Sequence, residues 1–171
     1  SDLRNFFHPE KNKESFNLSE CINGAISILS GVVDKNSINI KLNIDQSIQL
    51  VGFERELKHV FINLIKNAID ELIESTIVQP SITINTSIEE NNIIINVRDN
   101  GNGIKEDILP KIFDAYTSSK ALNGTGLGLY MGRLVIEEHF SGSISVRNCT
   151  AAAPCEENDH SGACFSIKIP I

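Results

Sequence analysis

A two-layer α+β sandwich, with a mixed and largely antiparallel sheet covered by helices on one face, is the fold class this sequence predicts. Three observations lead there. Apolar residues recur at helical spacing in three stretches, six shorter stretches alternate apolar with polar residues, and the order is helix, two strands, helix, two strands, a long polar segment, helix, two strands. Consecutive strands pair as hairpins, and helices so placed cover only one face of the resulting sheet. A doubly wound parallel sheet needs a helix after each strand, and that alternation is absent.

Residues 1–16 are polar with one aromatic cluster and read as a linker or the tail of a preceding element; the domain proper is expected over 17–171. Ser19 is placed to cap a first helix, in which Ile22, Ala25, Ile26, Leu29 and Val33 share one face up to about Asp34. Ile38, Ile40, Leu42 and Ile44 then alternate with Asn39, Lys41 and Asn43, and a short strand from Ile48 to Val51 is expected to pair with them through an Asp45-Gln46-Ser47 hairpin. A long helix follows from Glu54 to about Thr76, offering Leu57, Val60, Phe61, Leu64, Ala68, Ile69 and Leu72 to the core. Strands at 81–88 and 92–98 come next. The segment 99–123 carries glycine, proline and polar punctuation around one short helix near 107–114, and it is long for a mere connection. A helix from Thr125 to His139 has a glycine-rich mouth. Strands at 143–147 and 163–169 close the chain around an exposed excursion, 148–162.

The 171 residues suffice for one domain with a real core. Fifteen Lys and Arg against 22 Asp and Glu give a net charge of -7, which argues against a surface built for a nucleic-acid backbone. No apolar run approaches the roughly 18 to 20 residues that span a bilayer, and no basic-then-apolar leader opens the chain, so the segment itself is expected to be soluble. It starts at Ser1 without a methionine and is expected to be a fragment of something longer. Cys21, Cys149, Cys155 and Cys164 permit two disulfides, but reduced intracellular thiols are the expectation for a chain that is neither small nor cysteine-dense. Cys149, Cys155, His160 and Cys164 loosely evoke a metal site; none of the pairs has the short spacing typical of structural zinc.

Three motifs carry chemistry. Within the long helix, His59, Asn63, Asn67 and Asp70 are spaced four, four and three, forming one polar stripe with Lys66 beside it. Asparagine is a mediocre helix former, so two in register call for an explanation beyond a solvated face, where Glu, Lys and Arg predominate. An asparagine carbonyl suits a hard cation such as Mg²⁺, and a neighbouring lysine suits phosphate oxygens. At the end of a strand lies Asp99-Asn100-Gly101-Asn102-Gly103-Ile104. A carboxylate there accepts a hydrogen bond from an exocyclic amine, and two glycines let backbone approach a flat ring; the same residues also make a plain turn. Finally, Gly124-Thr125-Gly126-Leu127-Gly128-Leu129 opens a helix, where free N–H groups favour phosphate. It fits neither the Walker loop nor the dinucleotide fingerprint.

In this order the three motifs resemble those of the Bergerat (GHKL) superfamily of ATP-binding domains, and within it the catalytic domain of bacterial two-component histidine kinases. Asn63 to Ala68 is similar to the family's Asn box, Asp99-x-Gly101-x-Gly103 to its first glycine box, Ile112 to Lys120 to its Phe box, and Gly124 to Leu129 to its second glycine box. The resemblance extends from about Phe16 to Pro170. It implies ATP and Mg²⁺ as ligands, with Asn67 coordinating the metal and Asn63 and Lys66 near the phosphates; these three form the implied catalytic set. Asp99 would take the adenine amino group, with Gly101, Gly103 and Ile104 bordering the ring and Asp70 close by. Residues 105–123 would form an ATP lid, anchored by Phe113 and Tyr116, with Lys120 reaching phosphate. Gly124, Thr125, Gly126, Leu127, Gly128 and Leu129 would close over the nucleotide. Tyr116 stands where phenylalanine is common, and Ser118-Ser119 where threonine is common.

Members of the superfamily that hydrolyse ATP carry a glutamate general base four residues before the metal-binding asparagine. Here that position is Asn63, which cannot take a proton, so hydrolysis is disfavoured. The resemblance therefore implies transfer of the γ-phosphate to a histidine on a dimerisation domain outside this chain, with residues 1–16 leading from it. None of His8, His59, His139 and His160 lies in the acceptor motif. A response-regulator receiver domain, a homodimeric parent and cytoplasmic placement, whether or not that parent is membrane-anchored, are implied in the same way. An anti-sigma-type serine kinase, or a nucleotide-binding module without transfer, would carry the same boxes.

Overall fold

The computed structural model describes residues 13–117, 127–155 and 161–171. The chain runs β1 (Glu14–Asn17), α1 (Leu18–Ile28), α2 (Ser30–Lys35), β2 (Asn39–Asn43), β3 (Gln49–Gly52), α3 (Glu54–Glu74), β4 (Ser81–Glu89) and β5 (Asn92–Asp99). After a 3₁₀ turn at Leu109–Lys111 come α4 (Gly128–Leu134), which runs into a π-helical turn at Val135–His139, then β6 (Ser143–Asn148) and β7 (Ala163–Pro170).

Five strands form one sheet in the order β2-β4-β5-β7-β6. β2 is parallel to β4 and every other neighbour is antiparallel, the mixed sheet that the element order predicts. The two-residue period sends Ile82, Ile84, Ile93, Ile95, Val97, Phe165, Ile167 and Ile169 to the face that the helices cover. The opposite face is a polar ladder. Arg98 donates to Thr83 Oγ1 at 3.0 Å, Asn96 Nδ2 donates to Asn85 Oδ1 at 3.1 Å, and Ser166 donates to Asn96.

α3 buries every apolar residue expected of it, with Ile65 in addition. A fully buried Leu, Ile or Phe contributes about 1.5–3 kcal/mol, so this one helix face supplies much of the core. Buried Glu56 pairs with His139, whose ring meets Phe53 edge-on at 5.3 Å, and this joins the π-helical turn to the start of α3.

Three expectations are corrected. The first helix is two helices, interrupted at Leu29, and its cap is Asn17 rather than Ser19: Asn17 Oδ1 accepts the Glu20 N–H at 2.9 Å. The hairpin through Asp45-Gln46-Ser47 does not form. Asp45 accepts from the Ser47 N–H and hydroxyl, which hold its carboxyl below the ordinary aspartate value, and its own N–H donates to Thr86. β2 stays with β4, while β3 pairs antiparallel with β1 in a separate two-stranded sheet that sets buried Phe16 against buried Leu50. β1, at Glu14–Asn17, thus overlaps the end of the stretch expected to be linker. Alternation reports which face a residue takes, but not which strand lies beside it.

The third correction concerns thiols. Cys149 and Cys155 form a disulfide with a Cα separation of 5.2 Å, whereas Cys21 and Cys164 are free. A Thr150–Ala153 turn folds the excursion back on itself, and Arg147 donates to the carbonyls of Ala153 and Pro154, bringing the two cysteines together.

Candidate nucleotide site

α3 is the common wall. Its spacing sets Asn63, Asn67 and Asp70 half-buried along one side, with Lys66 exposed beside them. At the Asn63 end it meets the mouth of α4: a Cβ on Gly128 would lie 3.5 Å from Asn63 Cγ, and Gly132 sits against Val60. At the other end it meets the turn after β5, where a Cβ on Gly101 would lie 2.9 Å from Glu71 Cγ and 3.0 Å from Asp99 Oδ1. A side chain at Gly101 would require Glu71 to shift and Asp99 to give by a few tenths of an ångström. Eight residues of helix separate Asn63 from Glu71, about 12 Å.

β5 places the carboxylate. Odd-numbered residues of this strand face the helices, so Asp99 continues the line of Ile93, Ile95 and Val97 and is buried at 5% exposure. Its Oδ1 accepts the Gly101 N–H at 2.9 Å. Asn100 fastens the turn from the other side: its Oδ1 accepts the Ser81 N–H at 2.8 Å and its Nδ2 donates to the Gln79 carbonyl at 2.9 Å. Gly103 has φ +82°, a conformation that favours glycine, and Ile104 is half-buried against the core.

Beyond the turn, buried Ile112 and half-buried Phe113 seat the following segment, with Phe113 edge-on to Phe165 at 5.9 Å. Tyr116 is 77% exposed, with φ +63°. The anchoring expected of two aromatics therefore falls to Phe113, with Ile112 beside it. Leu127 and Leu129 are half-buried, and Gly128 is exposed. Lys120, Gly124, Thr125 and Gly126 lie outside the described residues, as do Ser118, Ser119, His8 and His160.

No group of three His, Cys, Asp or Glu side chains suited to a metal occurs among the described residues. Side-chain amides with one exposed lysine suit a hard cation held by one or two protein oxygens together with phosphate oxygens, so the residues present fit Mg²⁺ bound with a nucleotide. The free thiols lie outside this chemistry: burial pushes Cys21 up to about 12 and raises Cys164 as well, so neither is a thiolate at neutral pH.

Sequence reasoning passed over Glu71, Asn100, Asn148 and Gly162. Asn100 sits within the glycine motif as an ordinary turn residue, and Glu71 directly follows the polar stripe. Asn148 and Gly162 bracket the excursion, and nothing in their own neighbourhood marks them.

Residues 52–171 match the family described as histidine kinase-, DNA gyrase B- and HSP90-like ATPases. The chain belongs to that family, and its α+β fold is the family's. Among curated relatives, sporulation kinase A of Bacillus subtilis is 32% identical over 99% of this chain, and the sensor protein FixL of Bradyrhizobium diazoefficiens is 29% identical over 98%. The chain spans only 26% of the first protein's length and 31% of the second's. Among solved structures, the catalytic domain of histidine kinase ThkA superposes with TM-score 0.76 at 27% identity, covering 94% of this chain and 96% of that one. ThkA in complex with the response regulator protein TrrA gives TM-score 0.70 at 26% identity, over 92% of this chain and 41% of that one.

Proposed function

We propose that this chain binds ATP with Mg²⁺ and is the catalytic domain of a sensor histidine kinase, transferring the γ-phosphate to a histidine on a separate dimerisation domain. The observation that carries this reading is the convergence of three motifs on one helix. The Asp99–Ile104 turn and the mouth of α4 meet α3 about 12 Å apart, the scale of a nucleotide with its phosphates, with Asn67 and Lys66 between them.

In this reading Asp99 accepts the adenine amino group, and Gly101 and Gly103 give the ring access to backbone. Asn67 contributes a ligand oxygen to the metal, while Asn63 and Lys66 contact phosphate oxygens. Bound there, Mg²⁺ would supply charge neutralisation for the transferring phosphoryl group. An imidazole nitrogen of the acceptor forms the new N–P bond, and ADP leaves with the electron pair of the broken P–O bond. This domain's contribution is alignment and charge stabilisation, since Asn63 offers no base to activate water.

Residues 105–123 serve as the ATP lid, with Lys120 and Gly124 to Leu129 on the phosphates. Residues 1–16 connect to the dimerisation domain of a homodimeric parent. Because a histidine kinase of this fold was solved with a response regulator, a receiver domain is proposed as the downstream partner. No helix among the described residues is long and apolar enough to cross a membrane, and a cytoplasmic site of action accords with the use of ATP.

The test is titration of Asp99→Ala with ATP and Mg²⁺. Removing a charged acceptor that also closes the Gly101 turn is expected to weaken binding at least about 30-fold. Unchanged affinity sinks the adenine assignment. Labelled ATP with a supplied dimerisation domain should yield acid-labile phosphohistidine; acid-stable phosphoserine would favour the serine-kinase reading instead.

A further inference from the structure

Asn148, at the end of β6, lies outside all four motifs, yet it is bonded to the turn that carries Asp99. Its Oδ1 accepts the Ile104 N–H at 2.8 Å, and its Nδ2 donates to the Ile104 carbonyl at 2.7 Å. One side-chain amide thus satisfies both backbone groups of a residue 44 positions away, as a neighbouring strand would. The approach is close: a Cβ on Gly103 would lie 2.9 Å from Asn148 Oδ1. A side chain at Gly103 would therefore press on the Asn148 amide as well as meet an unfavourable φ of +82°.

The chain returning from the excursion tightens the same place. Gly162 has φ +118°, and a Cβ there would fall 1.9 Å from the Asp99 carbonyl oxygen, so this residue packs its backbone directly on the Asp99–Asn100 peptide. The Cys149 N–H donates to the Gly162 carbonyl at 2.8 Å, which links the two ends of the excursion. Asn148 and Gly162 consequently hold the turn at its two ends, Asn148 at Ile104 and Gly162 at Asp99.

We infer that Asn148 is a positioning residue of the nucleotide site: it fixes the Gly101–Ile104 backbone so that the adenine-facing turn is already formed before ligand arrives. The inference rests on the nucleotide reading above and adds to it a residue that never touches the ligand. Aspartate at this position keeps an acceptor for the Ile104 N–H but loses the donor to its carbonyl; alanine loses both.

The experiment measures two quantities on Asn148→Ala, Asn148→Asp and native protein: affinity for ATP with Mg²⁺, and hydrogen exchange of the Ile104 amide. Asn148→Ala is expected to speed exchange at Ile104 and to weaken ATP binding about tenfold, with Asn148→Asp between it and the native chain. Arg147→Ala, which releases the carbonyls of Ala153 and Pro154 but leaves Asn148 in place, should change neither. Unaltered Ile104 exchange in Asn148→Ala overturns the grip, and faster exchange with affinity within twofold of native overturns its role in binding. An equal loss in Arg147→Ala assigns the effect to the strand end as a whole and also overturns the inference. Failure of the native chain to bind ATP would remove the nucleotide reading itself, and with it the role of Asn148 in binding, while the exchange measurement would still decide the grip.

Discussion

Asp99–Ile104 and Lys105–Thr117 are consecutive in the chain but held in different ways. The first is bonded to residues 19, 21 and 44 positions away, through Ser81, Gln79 and Asn148. Along the second, the backbone hydrogen bonds run from Ile108 and Leu109 to Lys105, from Lys111 to Ile108, from Asp114 to Lys111 and from Thr117 to Asp114, joining residues only three or four apart. Long-range bonds make a segment part of the core's cooperative unit, whereas local ones let it keep its internal shape while moving as a body on its few buried side chains. In the proposed reading the turn side of the site is preformed, which lowers the entropic cost of binding, whereas the locally bonded segment can shift on its own.

Gly162→Ala attacks the fixed side most directly. Its Cβ would overlap the Asp99 carbonyl, and φ +118° is unfavourable for alanine, so the backbone of the turn or of β7 must shift. Destabilisation of about 3 kcal/mol or more is expected, read as the change in urea midpoint times the m-value. Gly31→Ala, at a helical position with no atom within 4 Å of the new Cβ, is the matching control and should be neutral or slightly stabilising. A loss below about 1 kcal/mol at Gly162 would mean that the turn is not rigidly packed.

That contrast also explains how far the site could be read from sequence. Asn63, Asn67, Asp99, Gly101 and Gly103 announce themselves because each lies in a short motif whose spacing matches its element: four residues along a helix, two along a strand and turn. Asn148 and Gly162 do not, because their partners are long-range and their own neighbourhood reads as a loop. The same physics separates the strands that were legible from those that were not. β4 and β5 are joined by two residues and pair as expected, while β1 and β3 find each other across α1, α2 and β2, and no local pattern names that partner. The disulfide belongs with the second group, since it depends on Arg147 and a turn folding the excursion back.

On the locally held side, the larger effect is expected at Phe113. Phe113→Ala removes the edge-on contact with Phe165 and part of a half-buried ring, for about 2 kcal/mol in denaturant unfolding. Exchange at Ile104 should remain at the native rate, because the turn's bonds do not pass through Phe113. Faster exchange there would join the two regions into one unit and break the comparison.

Tyr116 gives the smallest effect and the sharpest reading of how loosely its segment is coupled. Its side chain is 77% exposed, so Tyr116→Ala removes little packing, and a change within about 0.5 kcal/mol is expected. Tyr116→Gly tests the backbone separately. At φ +63° glycine relieves roughly 1 kcal/mol of left-handed strain, and this gain reaches global stability only if the segment unfolds together with the core. If the segment opens on its own, Tyr116→Gly leaves the global midpoint where Tyr116→Ala leaves it and instead slows exchange at the Thr117 amide, which donates to Asp114. A rise in the global midpoint by the full amount would place residues 105–117 in the same cooperative unit as the Asp99 turn.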